Sequence, residues 1–238
     1  MIRLSTLDGQ KRVIPTVETD WVFHQDGDDL AVYSPDLAEL DLKGCKFNFV
    51  PRHSFIDRAT ITYLNIGPGD EAFVVGRFIN HEGRQRNLPT ARFGCIAQMP
   101  WEPISRDRQY GQPPFMQESF LIEARSIGGY SGSPVFVYIP IFGDRTGVEN
   151  WSPTSNLTKL VDNEWGDTTA QGPWLLGIDW GHLNDWSIVC DASGRPINPR
   201  NPRDMQVKTN TGMMAVVPAW RLAEMLDGNR CQKNADKR

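Results

Sequence analysis

The sequence predicts an all-β fold, a barrel or a sandwich, on three observations. About a dozen short runs carry β-branched and aromatic residues in strand-like patterns. Turn signals separate them at regular spacing, and Gly (21) and Pro (17) are frequent among the 238 residues. Only one segment, close to the C-terminus, shows helical spacing. Apolar residues at 39% and charged residues at 23% argue against disorder over most of the chain. The length is ample for a buried core, in one large domain or two small ones.

Taken in order, residues 2–5 and 11–17 read as strands around Asp8-Gly9, a hairpin turn. Residues 30–33 form a short apolar strand after the acidic turn Asp26-Gly27-Asp28-Asp29, and residues 46–50 alternate weakly. Ile66-Gly67-Pro68-Gly69-Asp70 is a strong turn cluster. The strand at 71–78 holds Gly76, which suggests a bulge or a close backbone approach. Strands follow at 90–99, 119–125, 135–142, 174–180 and 213–217. Residues 143–172 are polar and long for a loop, and read as an insertion. Residues 191–206 are rich in turn signals. Pro218 then opens a short amphipathic helix to about Leu226, with Trp220, Leu222 and Met225 on its apolar side. Residues 229–238 are a charged tail.

Composition removes several functions. Lys plus Arg is 25 and Asp plus Glu is 29, a net charge of -4, which disfavours binding to nucleic acid through a basic surface. No apolar run reaches the roughly 18–20 residues of a membrane helix. Cys45, Cys95, Cys190 and Cys231 are scattered without zinc-ligand spacing, and no metal or cofactor is expected. They read as reduced thiols, with two disulfides as the alternative in an oxidising compartment. The sequons at Asn150 and Asn156 read as chance matches. Nothing at Met1 resembles a signal peptide, so the compartment stays open, with the cytoplasm favoured.

Chemistry concentrates in Gly129-Tyr130-Ser131-Gly132-Ser133-Pro134. Glycines on both sides of Ser131 allow a tight turn and let a carbonyl approach main-chain N–H groups. A nucleophilic serine needs both an exposed hydroxyl and N–H donors aimed at the developing oxyanion. The strand-to-helix elbow of α/β hydrolases is excluded, because Ser133 replaces the second glycine and a β-rich run follows. An ordinary glycine-rich turn is the alternative reading.

The stretch from Gly129 to Val135 resembles the nucleophile motif of the chymotrypsin/trypsin-like serine peptidases, in the shorter form common among bacterial members. Other segments resemble the same family in the same order. Asp29-Leu30-Ala31-Val32 is similar to its aspartate segment, and residues 69–76 to the first strand of its second barrel. Leu175 to Ile178 with Trp180-Gly181 is similar to the strand lining the substrate cleft, and residues 210–219 to the C-terminal end before a helix. The likeness covers residues 20 to 226 apart from the insertion. It implies a double β-barrel with an incomplete first barrel: a partial N-terminal barrel at 1–65, then a C-terminal barrel and terminal helix at 66–228. It implies Ser131 as nucleophile, the N–H groups of Gly129 and Ser131 as the oxyanion hole, and Asp29 as the buried carboxylate that orients an imidazole. Trp180 and Gly181 become substrate contacts, and the partner a polypeptide, with no nucleic acid and no membrane. Arg125, six residues before Ser131, would favour an acidic side chain or is a solvated strand end. Tyr130 stands where digestive members place an acidic residue.

One element of the pattern is missing. The family places its histidine several tens of residues before the aspartate, and only His24 precedes Asp29. His24 reads as a strand-end residue, and His53 and His81 fit no family position. His182 is a candidate contact beside the cleft. A serine without a base is a weak nucleophile near neutral pH. Two expectations follow: an N-terminally incomplete serine peptidase, inactive as this chain, or a non-catalytic peptidase fold that binds a peptide or protein partner.

Overall fold

The computed structural model describes residues 1–35, 44–46, 48–77, 89–106, 115–124, 129–139, 173–201 and 205–228. It is mostly β, with 48% strand, a closed six-stranded barrel and a few helices.

The chain opens with β1 (Ile2–Thr6) and β2 (Lys11–Ile14), a hairpin turning at Asp8-Gly9. β3 (Trp21–Phe23) and β4 (Ala31–Tyr33) form a separate hairpin across the acidic turn. β5 (Cys45–Lys46) pairs with the end of β1, so the first sheet runs β2-β1-β5. Among the described residues these two small sheets do not close into a barrel. α1 (Arg58–Tyr63) follows; its first turn is capped by the Asp57 carboxylate, which accepts from the Thr60 N–H at 2.7 Å.

The barrel is built from β6 (Glu71–Gly76), β7 (Thr90–Gln98), β10 (Phe120–Glu123), β11 (Pro134–Val137), β12 (Trp174–Ile188) and β13 (Gln206–Pro218). A small hairpin, β8 (Ile104–Arg106) with β9 (Phe115–Gln117), interrupts the run. Around the barrel the order is β10-β13-β12-β11-β6-β7, with β7 closing on β10, and every neighbouring pair is antiparallel. Closure leaves no free edge in this layer. Alternation fills its interior: Ala72 and Val74 from β6, Ile122 from β10, Val135 and Val137 from β11, and Met214 and Val216 from β13 are all buried. Each such Val, Ile or Met side chain contributes about 1.5–3 kcal/mol on burial.

The helix α2 (Ala219–Asp227) begins one residue later than the sequence suggests, because Pro218 is its N-cap and ends β13 in extended geometry. It buries Ala219, Trp220, Ala223 and Met225, and Trp220 meets Phe120 edge-on at 5.7 Å between ring centroids.

Two strands run far beyond their sequence-read ends. β12 continues to Ile188 and β13 starts at Gln206, and the two pair as a ribbon out to Ile188↔Gln206. The added residues are mostly polar and exposed, with Leu183, Trp186, Ile188 and Val207 scattered among them, so no apolar alternation marks them. The Thr211 hydroxyl donates across the ribbon to the Leu183 carbonyl at 2.9 Å. Residues 55–66 also pack with the barrel rather than with the first sheets. Ile56 donates its N–H to Leu175 at 3.0 Å, and Ile56, Ile61 and Ile66 join the barrel core. The insertion read at 143–172 and the tail at 229–238 lie outside the described residues. No helix among the described residues is long and apolar enough to cross a membrane.

Candidate active site

The Ser131 turn stands between β10 and β11, on the rim of the barrel. Gly129 and Gly132 take φ of 102° and 85°, values that disfavour any side chain. Tyr130 anchors the turn. It is buried, its hydroxyl lies 2.5 Å from Thr90 Oγ1, and the Arg92 guanidinium sits 5.0 Å from its ring centroid. Beneath it, Gly76 admits a close approach, because a Cβ there would collide with Ser133 Oγ and the Tyr130 ring. The close approach suggested by Gly76 in its strand is therefore present.

Three backbone bonds clamp the turn. Ser133 N–H donates to the Tyr130 carbonyl at 2.9 Å, Gly132 N–H to the Asp179 carbonyl at 2.7 Å, and Asp179 N–H to the Ser133 carbonyl at 2.9 Å. The serine loop is thus stitched to β12. Ser131 itself is exposed, and its N–H has no hydrogen-bond partner among the described residues. It opens on a cleft of about 970 Å³ lined by Gly129, Ser131, Gly132 and Ser133 on one side and by residues 4–9 of the first hairpin on the other. An exposed hydroxyl beside its own open N–H in such a cleft suits attack on a carbonyl.

The other sequence-read residues lie elsewhere. Asp29 is exposed and does not line this cleft. Its N–H donates to Gln117 Oε1 at 3.1 Å. The burial expected of Asp29 falls on its neighbour Asp28, which is 6% exposed. In a run of acidic residues, the β3–β4 turn decides which carboxylate points inward. Asp28 Oδ2 accepts from Arg221 Nε at 2.7 Å and lies 3.4 Å from His24 Nδ1. Burial opposes the charge on Arg221, but the bond and charge of Asp28, with Glu224 and Glu118, outweigh it and raise the guanidinium pKa.

None of His24, His53 and His182 lines the Ser131 cleft. His182 sits on β12 opposite Met214. His81 and Arg125 lie outside the described residues. Trp180 and Gly181 also stand off the cleft. Trp180 donates its Nε1–H to Ser119 Oγ at 2.9 Å and packs with Leu30 and Val217, holding the β3–β4 hairpin to the barrel. No group of three His, Cys, Asp or Glu among the described residues is arranged to hold a metal ion.

Sequence reasoning missed Asp179. It is 2% exposed, and its carboxylate accepts from the Gly181 N–H at 2.9 Å. Burial pushes its pKa up to about 7 against the opposing effect of that N–H. The signal was available: an acid closing an otherwise apolar run, Leu175-Leu176-Gly177-Ile178-Asp179.

No protein-family model matches the chain, and neither does any curated protein or solved structure.

Proposed function

We propose that the chain is a trypsin-like serine peptidase by descent, with Ser131 as the nucleophile and a polypeptide as the partner in its cleft. One observation carries the reading: Ser131 is exposed at the tip of a glycine-flanked turn clamped to β12, with its N–H open to the cleft. The barrel supports it. β6, which the resemblance makes the first strand of a second barrel, begins a closed barrel of six strands, and β12, its cleft-lining strand, is the one that grips the serine loop. The two small sheets of the first 46 residues then correspond to part of a first barrel.

In such a reaction Ser131 Oγ attacks a peptide carbonyl. A C–O bond to the enzyme forms, the C–N bond breaks, and the hydroxyl proton passes through a base to the leaving amine; water then releases the acyl group. Among the described residues the cleft holds the exposed Ser131 with its open N–H but no imidazole. That observation favours a second reading, in which the cleft binds a peptide without cleaving it.

A fluorophosphonate probe separates the two. The chain is expected not to label measurably by itself. Added imidazole is expected to produce labelling, and Ser131→Ala to abolish it. A folded chain whose labelling stays at the Ser131→Ala level with imidazole present would leave only the binding reading.

A further inference from the structure

We propose that Asp179 is a positioning residue for Ser131, and that a proton on its carboxyl group keeps the serine turn clamped. Two of the three bonds that clamp the turn end on the main chain of this one residue. Its carbonyl accepts from the Gly132 N–H at 2.7 Å, and its N–H donates to the Ser133 carbonyl at 2.9 Å. Gly132 follows Ser131 directly, so a shift of Asp179 reaches the serine through one residue of chain. The importance of that shift for reactivity rests on the reading of Ser131 as a nucleophile; the clamp itself does not.

The side chain of Asp179 fixes β12 at the same point. The strand bulges here: Asp179 pairs with Val216 and Gly181 with Ala215, leaving Trp180 as the extra residue. The Asp179 carboxyl group spans the bulge by accepting from the Gly181 N–H at 2.9 Å. Trp180 is held in turn by its bond to Ser119 Oγ.

Asp179 is buried, and its two protonation states fare differently there. A neutral carboxyl group can stay in place and still accept from Gly181. A carboxylate in the same place loses its hydration, and burial outweighs what the Gly181 N–H returns, which puts its pKa at about 7. An ionised Asp179 lowers its free energy by moving toward water or by admitting it. Either response loosens the bulge and, with it, the two main-chain bonds to the serine turn. The described titratable and charged groups on the elements around it are Tyr130 in the turn, with Arg92 over its ring, His182 and Asp185 on β12, and Lys208 on β13. Arg221 on α2 is engaged with Asp28 and Glu224. Of these, His182 stands closest along the strand and is the control.

The test follows backbone amides by nitrogen–proton NMR from about pH 5 to about pH 9. The Gly181 amide reports on the carboxyl group, and the Gly132 and Ser133 amides report on the clamp. All three are expected to shift together with a midpoint near 7, to stay flat in Asp179→Asn, and to shift as before in His182→Gln. Flat signals in the parent chain overturn the proposal. A shift of Gly181 alone overturns the coupling to the turn. A shift that survives Asp179→Asn, or that disappears in His182→Gln, overturns the assignment to Asp179. Imidazole-assisted fluorophosphonate labelling then reads the reach to Ser131. The rate for Asp179→Asn over that of the parent is expected to be about one at about pH 5.5 and roughly fivefold at about pH 8.5. A ratio that stays at one while the amides shift overturns the positioning role. If neither protein labels, the nucleophile reading falls, and the amide shifts alone decide whether Asp179 governs the turn.

Discussion

The barrel and the first two sheets are built from similar strands and held in different ways. Every barrel strand is paired on both sides, and the interior residues Val74, Ile96, Ile122, Val135, Leu176 and Val216 are at most 1% exposed. In the first 46 residues only Asp28, Leu30 and Cys45 are buried among those described. The β3–β4 hairpin is positioned by what it touches on the barrel side: Leu30 against Val217 and Met225, and Asp28 against Arg221 on α2. A closed sheet carries its own core, whereas two open sheets borrow one. The serine turn sits on the self-sufficient half, and the wall opposite it sits on the dependent half. The cleft therefore has one side built on a closed barrel and one built on an open sheet.

The largest expected effect probes the barrel side through pH. Asp179 has a folded pKa raised from 3.8 to about 7, so folding takes up a proton between those values. Stability is highest below this window and falls as pH rises through it. Complete removal of the penalty corresponds to about 4 kcal/mol at about 1.4 kcal/mol per pKa unit. Asp179→Asn keeps an acceptor for the Gly181 N–H and removes the charge. Its thermal midpoint is expected to exceed that of the parent at about pH 8 and to converge with it near pH 4. A constant difference across that range would remove Asp179 as the titrating group.

Arg221→Met tests the dependent side. It leaves the Asp28 carboxylate buried without its cation, a loss of about 2–3 kcal/mol for a partly exposed pair. Hydrogen exchange is expected to quicken in residues 21–33 while the barrel strands stay protected. Uniform quickening in both regions would show that the two halves unfold as one unit.

Gly76→Ala gives the smallest of the three effects, about 1–2 kcal/mol from overpacking against Tyr130 and Ser133. It is expected to displace the serine turn, so that imidazole-assisted labelling of Ser131 falls by more than the stability does. Unchanged labelling would mean that the turn holds its geometry without that close approach.

Much of the barrel was legible because its strands are short apolar runs rich in β-branched and aromatic residues. Val74 and Val135 stand in short, continuously apolar, β-rich runs, Ala72 to Val75 and Val135 to Val137, and burial then alternates along them. The Ser131 turn was legible from its two glycines, whose positive φ the sequence anticipates by residue type alone. The ribbon beyond Trp180 was not, since its polar residues are held by cross-strand pairing rather than burial. α1 was not either. Its Thr60, Ile61 and Thr62 are poor helix formers, and the one local signal was the Asp57 cap.

By itself the sequence determined the strand-rich class, the C-terminal helix and the serine turn, because periodicity and glycine placement act within a few residues of chain. Only the tertiary structure decided that Asp28 rather than Asp29 is buried, that Asp179 lies beneath the serine turn, and that Lys46 and Arg77 share a cleft with Ser131. Each of these depends on which side of a turn faces a distant element, and on the desolvation that follows. That choice is made by packing across the fold, which no local pattern of residues records.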